Sequence, residues 1–112
     1  MSGFTYEIVL RARYEILEAW EWYEDRKEGL GDRFINQINL KIKQVIQMPE
    51  RFPEKRRSFR EAKINVFPYL LIYKIANRKK VITIISVFHT SRNPKLKYSG
   101  SFKKKVTKNL QS

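Results

Sequence analysis

The sequence predicts an α+β domain: an antiparallel sheet in the order β-α-α-β-β-β, with an N-terminal helix hairpin packed on one face. Three observations predict it. The apolar repeat changes from a helical period in the first half of the chain to a period of two in the second. A short Gly29-Leu30-Gly31 link joins two amphipathic runs, and two β-prone runs flank a polar turn. The 112 residues fit one domain, and 42% hydrophobic residues suffice for one core.

Tyr6 to Leu10 reads as a short strand, with Ile8 and Leu10 on one face. From about Arg11 to Glu28 the apolar residues Ala12, Ile16, Leu17, Ala19, Trp20 and Tyr23 alternate with glutamates in the pattern of an amphipathic helix, with Gly29 as its C-cap. The second helix starts at Leu30 or Asp32 and carries the stripe Phe34, Ile35, Ile38, Ile42, Val45 and Ile46. Pro49 ends it, because the residue before a proline is biased out of the helical region. So short a link forces the two helices antiparallel. A basic connector, Pro49 to Ser58, leads to a strand from Phe59 to Phe67, with Ala62, Ile64 and Val66 on one face and Glu61, Lys63 and Asn65 on the other. Tyr69 to Ile75 and Val81 to Phe88 are apolar on both faces, as central strands are, and Ala76 to Lys80 is the turn between them. The domain is expected over residues 1–98. Residues 99–112 read as a basic tail, frayed or a short helix, in which Lys103, Lys104 and Lys105 are a mobile cationic run.

Composition excludes several functions. The longest strongly apolar stretch, Val81 to Phe88, is far below the ~20 residues of a membrane span. There is no cysteine, hence no disulfide, thiolate metal site or thiol nucleophile. His89 is the single histidine, so no cofactor or metal is expected. Met1-Ser2-Gly3-Phe4 lacks the pattern of a secretory leader, and a cytoplasmic location is expected.

Charge is uneven. Residues 1–50 hold seven Lys/Arg and nine Asp/Glu, a net of −2, whereas residues 51–112 hold seventeen and two, a net of +15. Such a cationic half selects polyanions or acidic protein segments as partners. Arg56, Arg57, Arg60 and Lys63, on and before the second strand, are the leading patch for binding a polyanion or an acidic protein partner. Trp22 lies about 200° round the helix from Trp20, so with Trp20 and Tyr23 in the core it becomes an exposed aromatic suited to an interface. His89, at a strand end, is either a base usable near neutral pH or a structural donor. Arg92, before Pro94, is a target or phosphate contact or a solvated charge. Tyr69 and Tyr73 read as core. The glutamates of the first helix read as a solvated face without a role in catalysis.

The layout and several motifs resemble the RelE/ParE superfamily of small bacterial toxins, from about Phe4 to Tyr98. They are Ala19-Trp20-x-Trp22-Tyr23, Gly29-Leu30-Gly31-x-x-Phe34, Met48-Pro49-x-x-Phe52-Pro53, Phe67-Pro68-Tyr69-Leu70-Leu71-Ile72-Tyr73 and Val87-Phe88-His89-Thr90-Ser91-Arg92-Asn93-Pro94. The Pro-Tyr-x-x-x-Tyr segment followed by His-x-x-Arg is most similar to the ParE-like branch. The resemblance implies a plasmid-stabilising toxin of a type II pair, neutralised by an acidic antitoxin that folds onto it, as a toxin–antitoxin hetero-oligomer or a homodimer. It implies one of two targets: DNA gyrase, inhibited by binding, or mRNA on the ribosome, cleaved with lysines, arginines and a tyrosine. Two arginines of the cleaving branch fall on Leu70 and Thr90, which cannot neutralise a phosphorane. The gyrase reading therefore leads. An endoribonuclease would have to use His89, Arg92 and Tyr98, and a non-toxic nucleic-acid-binding module is the third alternative.

Overall fold

The computed structural model describes residues 3–98; the expectations for residues 99–112 lie outside them. Strand β1 (Thr5–Ile8) leads into helix α1 (Leu10–Arg26), which turns back into α2 (Leu30–Gln47). Three strands follow: β2 (Arg60–Lys63), β3 (Tyr69–Ala76) and β4 (Val81–His89). The element order is the expected one, and the sheet order β1-β4-β3-β2 puts β3 and β4 at the centre, where their two-sided apolar patterns belong.

The sheet is mixed rather than wholly antiparallel. β2–β3 and β3–β4 are antiparallel, but β1 runs parallel to β4, from Thr5 opposite Val81 to Ile8 opposite Ile84. A four-residue strand whose partner lies on the far side of two helices and two strands carries no local sign of its direction. The helix hairpin supplies the crossover that a parallel neighbour needs. β1 also ends early, and α1 starts at Leu10, which the sequence assigns to the strand.

Between α1 and α2 the turn is built by Gly29 at φ 87°, as the N-cap of α2 rather than the C-cap of α1, which is Lys27. The Glu24 carboxylate accepts from the N–H groups of Gly29 (2.8 Å) and Gly31 (2.9 Å), and Trp20 Nε1 donates to Asp32 at 3.0 Å. A Cβ on Gly31 would stand 2.7 Å from the Trp20 carbonyl oxygen, so the helices could not meet this closely with any other residue there.

The core lies between hairpin and sheet. Phe34, Ile38, Ile42 and Val45 of α2 and Ala12 and Ala19 of α1 face Ala62, Leu71, Ile84 and Val87. At one end Tyr23, Phe34, Phe67 and Tyr69 form an aromatic cluster with centroid separations of 4.9 to 6.4 Å, within the range of favourable ring pairs.

β2 is shorter than its alternation suggests. The chain reverses before Pro68, with Val66 at φ 75° and 73% exposed, so Val66 is not on the apolar face. Glu61, read as outward-facing beside Lys63, is 8% exposed. The segment after β4 covers it: Tyr98 Oη donates to Glu61 Oε2 at 2.5 Å, and Lys97 Nζ lies 3.3 Å from the same oxygen. Among the described residues no helix is long and apolar enough to cross a membrane, and no cluster of His, Cys, Asp or Glu is suited to a metal.

Candidate functional site

β1 ends beside Ile84, while β4 continues to His89. In β4 the register against β3 slips: Ile72 faces Ser86 and Tyr73 faces Ile84, leaving Ile85 as a bulge. The outer edge of β4 beyond β1 thus lacks a strand, and α1 supplies the acceptor in its place. Glu15 Oε1 accepts from the Val87 N–H at 2.9 Å and from Ser86 Oγ at 2.8 Å. Glu15 Oε2 accepts from Arg11 Nε at 3.1 Å and from Arg92 Nη1 at 2.7 Å. The Glu15 side chain is only 12% exposed. This carboxylate ties α1, the end of β4 and the turn after it into one unit, whereas the sequence reading treats the α1 glutamates as solvated. The one sequence signal was Arg11, an i,i+4 partner of Glu15.

Beside this knot is a cleft of about 600 Å³. Ala19, Tyr23, Pro68, Tyr69 and Val87 contribute apolar lining, and Glu18, Trp22, His89 and Arg92 contribute polar and aromatic groups. Trp22 is 52% exposed, as expected for an interface aromatic, with the Arg26 guanidinium 4.0 Å from its ring centroid. Tyr69 meets the His89 ring edge-on at 4.9 Å. Burial, first of all, pushes the Tyr69 hydroxyl up to about 12, so it stays neutral. His89 Nδ1 accepts from the Ser91 N–H at 3.0 Å, which leaves the proton of the neutral ring on Nε2. Arg92 also lies over Phe88, 4.5 Å from the ring centroid, so it is held rather than free in solvent.

Three sequence candidates, Trp22, His89 and Arg92, therefore line one cleft. The others do not. Arg56 and Arg57 are exposed in a short 3-10 turn, Arg56–Ser58. Arg60 Nη1 donates to the Phe52 carbonyl at 2.7 Å, and Lys63 Nζ donates to the carbonyls of Ile64 (2.9 Å) and Phe67 (3.0 Å). Half of the supposed patch is thus occupied in holding the connector and the β2–β3 reversal. Tyr98 stacks on Phe59 at 4.6 Å, and burial followed by its bond to Glu61 raises its pKa strongly, so it is kept protonated.

The fold and cleft define a class: small α+β domains in which a helix hairpin packs on a four-stranded sheet and an aromatic–basic cleft opens between α1 and the end of β4. The family profile of the ParE toxin of the type II toxin–antitoxin system, parDE, matches residues 6–94. The chain belongs to this family and, with it, to the RelE/ParE superfamily. It is therefore similar to the toxin partners of type II systems. A chain of the chromosomal ParDE system from P. aeruginosa has the same fold, with a TM-score of 0.69, 12% identity, and coverage of 81% of this chain and 100% of that one. The E. coli RelBE toxin–antitoxin complex gives 0.55 with 26% identity over 80% of this chain and 100% of that one. The isolated E. coli RelE toxin gives 0.55 with 24% identity over 90% and 97%. A search of curated proteins returns no sequence match.

Proposed function

We propose that this toxin acts by binding rather than by cutting: a ParE-like protein that inhibits DNA gyrase and is neutralised by an acidic antitoxin. One observation carries the preference over mRNA cleavage. The groups an endoribonuclease would require are dispersed and already engaged. Arg92 is paired to Glu15, Tyr98 is held protonated on Glu61 away from the residues lining the cleft, and Leu70 and Thr90 stand where the cleaving branch has arginines. Cleavage needs a base, an acid and a cation converging on one phosphate, and of the three candidates His89, Arg92 and Tyr98 only the first two line the cleft.

The same cleft suits a macromolecular partner. Its apolar lining accepts a large side chain, while the exposed Trp22 and the cations Arg26 and Arg92 meet an acidic flank. The neighbouring RelBE structure is a toxin–antitoxin complex, which supports an antitoxin as the partner. Expression of the chain alone in a bacterium tests the reading: double-strand breaks and a DNA-damage response with intact transcripts are expected. Transcripts cut at defined positions would select the ribosome-dependent mRNA interferase instead. Normal growth with neither would leave a nucleic-acid-binding module.

A further inference from the structure

Helix α1 buries Ala12, Ala19 and Tyr23, yet its outer side is not wholly polar. Leu10, Tyr14 and Leu17 recur at the spacing i, i+4 and i+7, so they share one face, and they are 36%, 59% and 53% exposed. Single exposed apolar residues are ordinary, but three large ones in line mark a surface that is covered in use. Beside the stripe runs a groove of about 270 Å³ where α1, α2 and the end of β1 meet, lined by Leu17 and Trp20 of α1, Ile35 and Ile42 of α2 and Ile8 of β1. Arg13 also lines it. Its Nε is buried without an acceptor, and its side chain forms no ion pair among the described residues.

Charge decides what covers this face. The chain carries +13, but Leu10–Arg26 holds three arginines against Glu15, Glu18, Glu21, Glu24 and Asp25, a net of −2. An acidic segment or a nucleic acid is drawn instead to the cationic half of the chain, residues 51–112. A second copy of the chain suits α1 better, because here two copies meet away from the halves that repel. The charges are also ordered along the helix. Arg11 is held by Glu15 and the Leu96 carbonyl, which leaves Arg13 as the cation of the first turns, while Glu18 and Glu21 stand exposed in the later ones. Laid antiparallel, the basic start of one helix runs beside the acidic end of the other, and Tyr14 meets Leu17 of the partner subunit. Such a contact is self-complementary under a two-fold axis. We propose that two copies of this chain pair through α1, antiparallel, with the stripes of Leu10, Tyr14 and Leu17 against each other and Arg13 of each copy near Glu21 of the partner subunit. None of the stripe residues lines the α1–β4 cleft, so the pair carries two open clefts on one particle. One helix face is small beside the ~800 Å² per partner of a standard interface, so pairing is expected to be reversible in the micromolar range.

Sedimentation equilibrium of the full-length chain, free of nucleic acid, tests this across micromolar concentrations. A monomer–dimer equilibrium is expected. Leu17→Glu and Tyr14→Lys should each weaken it about tenfold or more. Leu40→Glu, at a half-exposed leucine of α2 outside the groove, should change it less than about threefold. Arg13→Glu and Glu21→Arg should each weaken pairing about fivefold, because each places like charges together at two symmetric contacts. The double variant Arg13→Glu/Glu21→Arg restores an acid opposite a base at both contacts and should return to within about twofold of the parent. The proposal is overturned if the chain stays monomeric throughout, if Leu17→Glu pairs as well as the parent, or if the double variant pairs no better than the single ones. A monomeric chain whose binding of poly-L-glutamate is lost in Leu17→Glu would assign the stripe to an acidic partner instead. Tyr14→Lys and the charge variants keep the test decisive should Leu17→Glu fail to fold.

Discussion

Two basic regions of this molecule treat charge in opposite ways. At the end of β4, Arg11 and Arg92 converge on Glu15, whose oxygens also satisfy Ser86 and Val87, so both cations are held on one carboxylate. At the junction of α2 and the connector, the Lys41 ammonium and the Arg51 guanidinium carbon instead lie 5.4 Å and 5.5 Å from the Phe52 ring centroid. The first arrangement ties cations to a carboxylate; the second packs them against an aromatic ring. Basic residues in one small domain thus have two roles that a net charge of +13 cannot separate.

Breaking the paired region should have the largest effect. Glu15→Ala removes the acceptor of the Val87 N–H, the Ser86 hydroxyl and the Arg92 guanidinium, while Arg11 keeps the Leu96 carbonyl, and about 3 kcal/mol of stability is expected to be lost in urea unfolding. A loss below about 1 kcal/mol would make Glu15 an ordinary surface residue and erase the contrast. Arg92→Ala should cost only about 1 kcal/mol, since that side chain is 38% exposed, while weakening antitoxin or target binding about tenfold.

A pH titration compares the two regions by another route. Tyr69 lines the cleft, and Tyr73 Oη holds the connector by donating to the Pro49 carbonyl at 2.6 Å. Burial is the main reason that both are pushed up to about 12. The neutral hydroxyls are favoured in the folded state, so their contribution is complete below pH 10 and disappears as pH rises from 10 through about 12. Alkaline denaturation followed by tyrosinate absorbance should place this loss in that window. Tyr73→Phe should flatten the slope and cost about 1 kcal/mol at neutral pH. The smallest effects belong to the basic patch: about 0.5 to 1 kcal/mol for Lys63→Met, and within about 0.5 kcal/mol for Arg56→Ala, which tests whether Arg56 serves only recognition.

What the sequence discloses here follows from how local each signal is. The hairpin is written within Trp20 to Asp32, and the two-sided apolar runs of β3 and β4 announce central strands, because period and turn chemistry act over a few residues. The parallel direction of β1 was not legible, since its partner lies on the far side of the helix hairpin. The roles of Glu15 and Glu61 escaped for the same reason: each is buried by residues more than thirty positions away, Arg92 in one case and Tyr98 in the other. Within a helix or strand window, both glutamates look solvated. Among the site residues, exposure of Trp22 followed from helical geometry alone. The engagement of Arg60 and Lys63 with backbone carbonyls did not, because nothing in a run of basic residues distinguishes a tether from a contact surface.

The position of β4 has one more consequence. It is the last of the described strands, yet it sits inside the sheet and touches both β1 and β3. Until it is in place, β1 has no neighbour, Glu15 lacks all but its local arginine, and the cleft lacks Val87 and His89. The helix hairpin can form early from nearby residues, but the binding face comes into being only with a closure that joins positions 5 and 81. A partner that reads this cleft would therefore ignore a half-made chain.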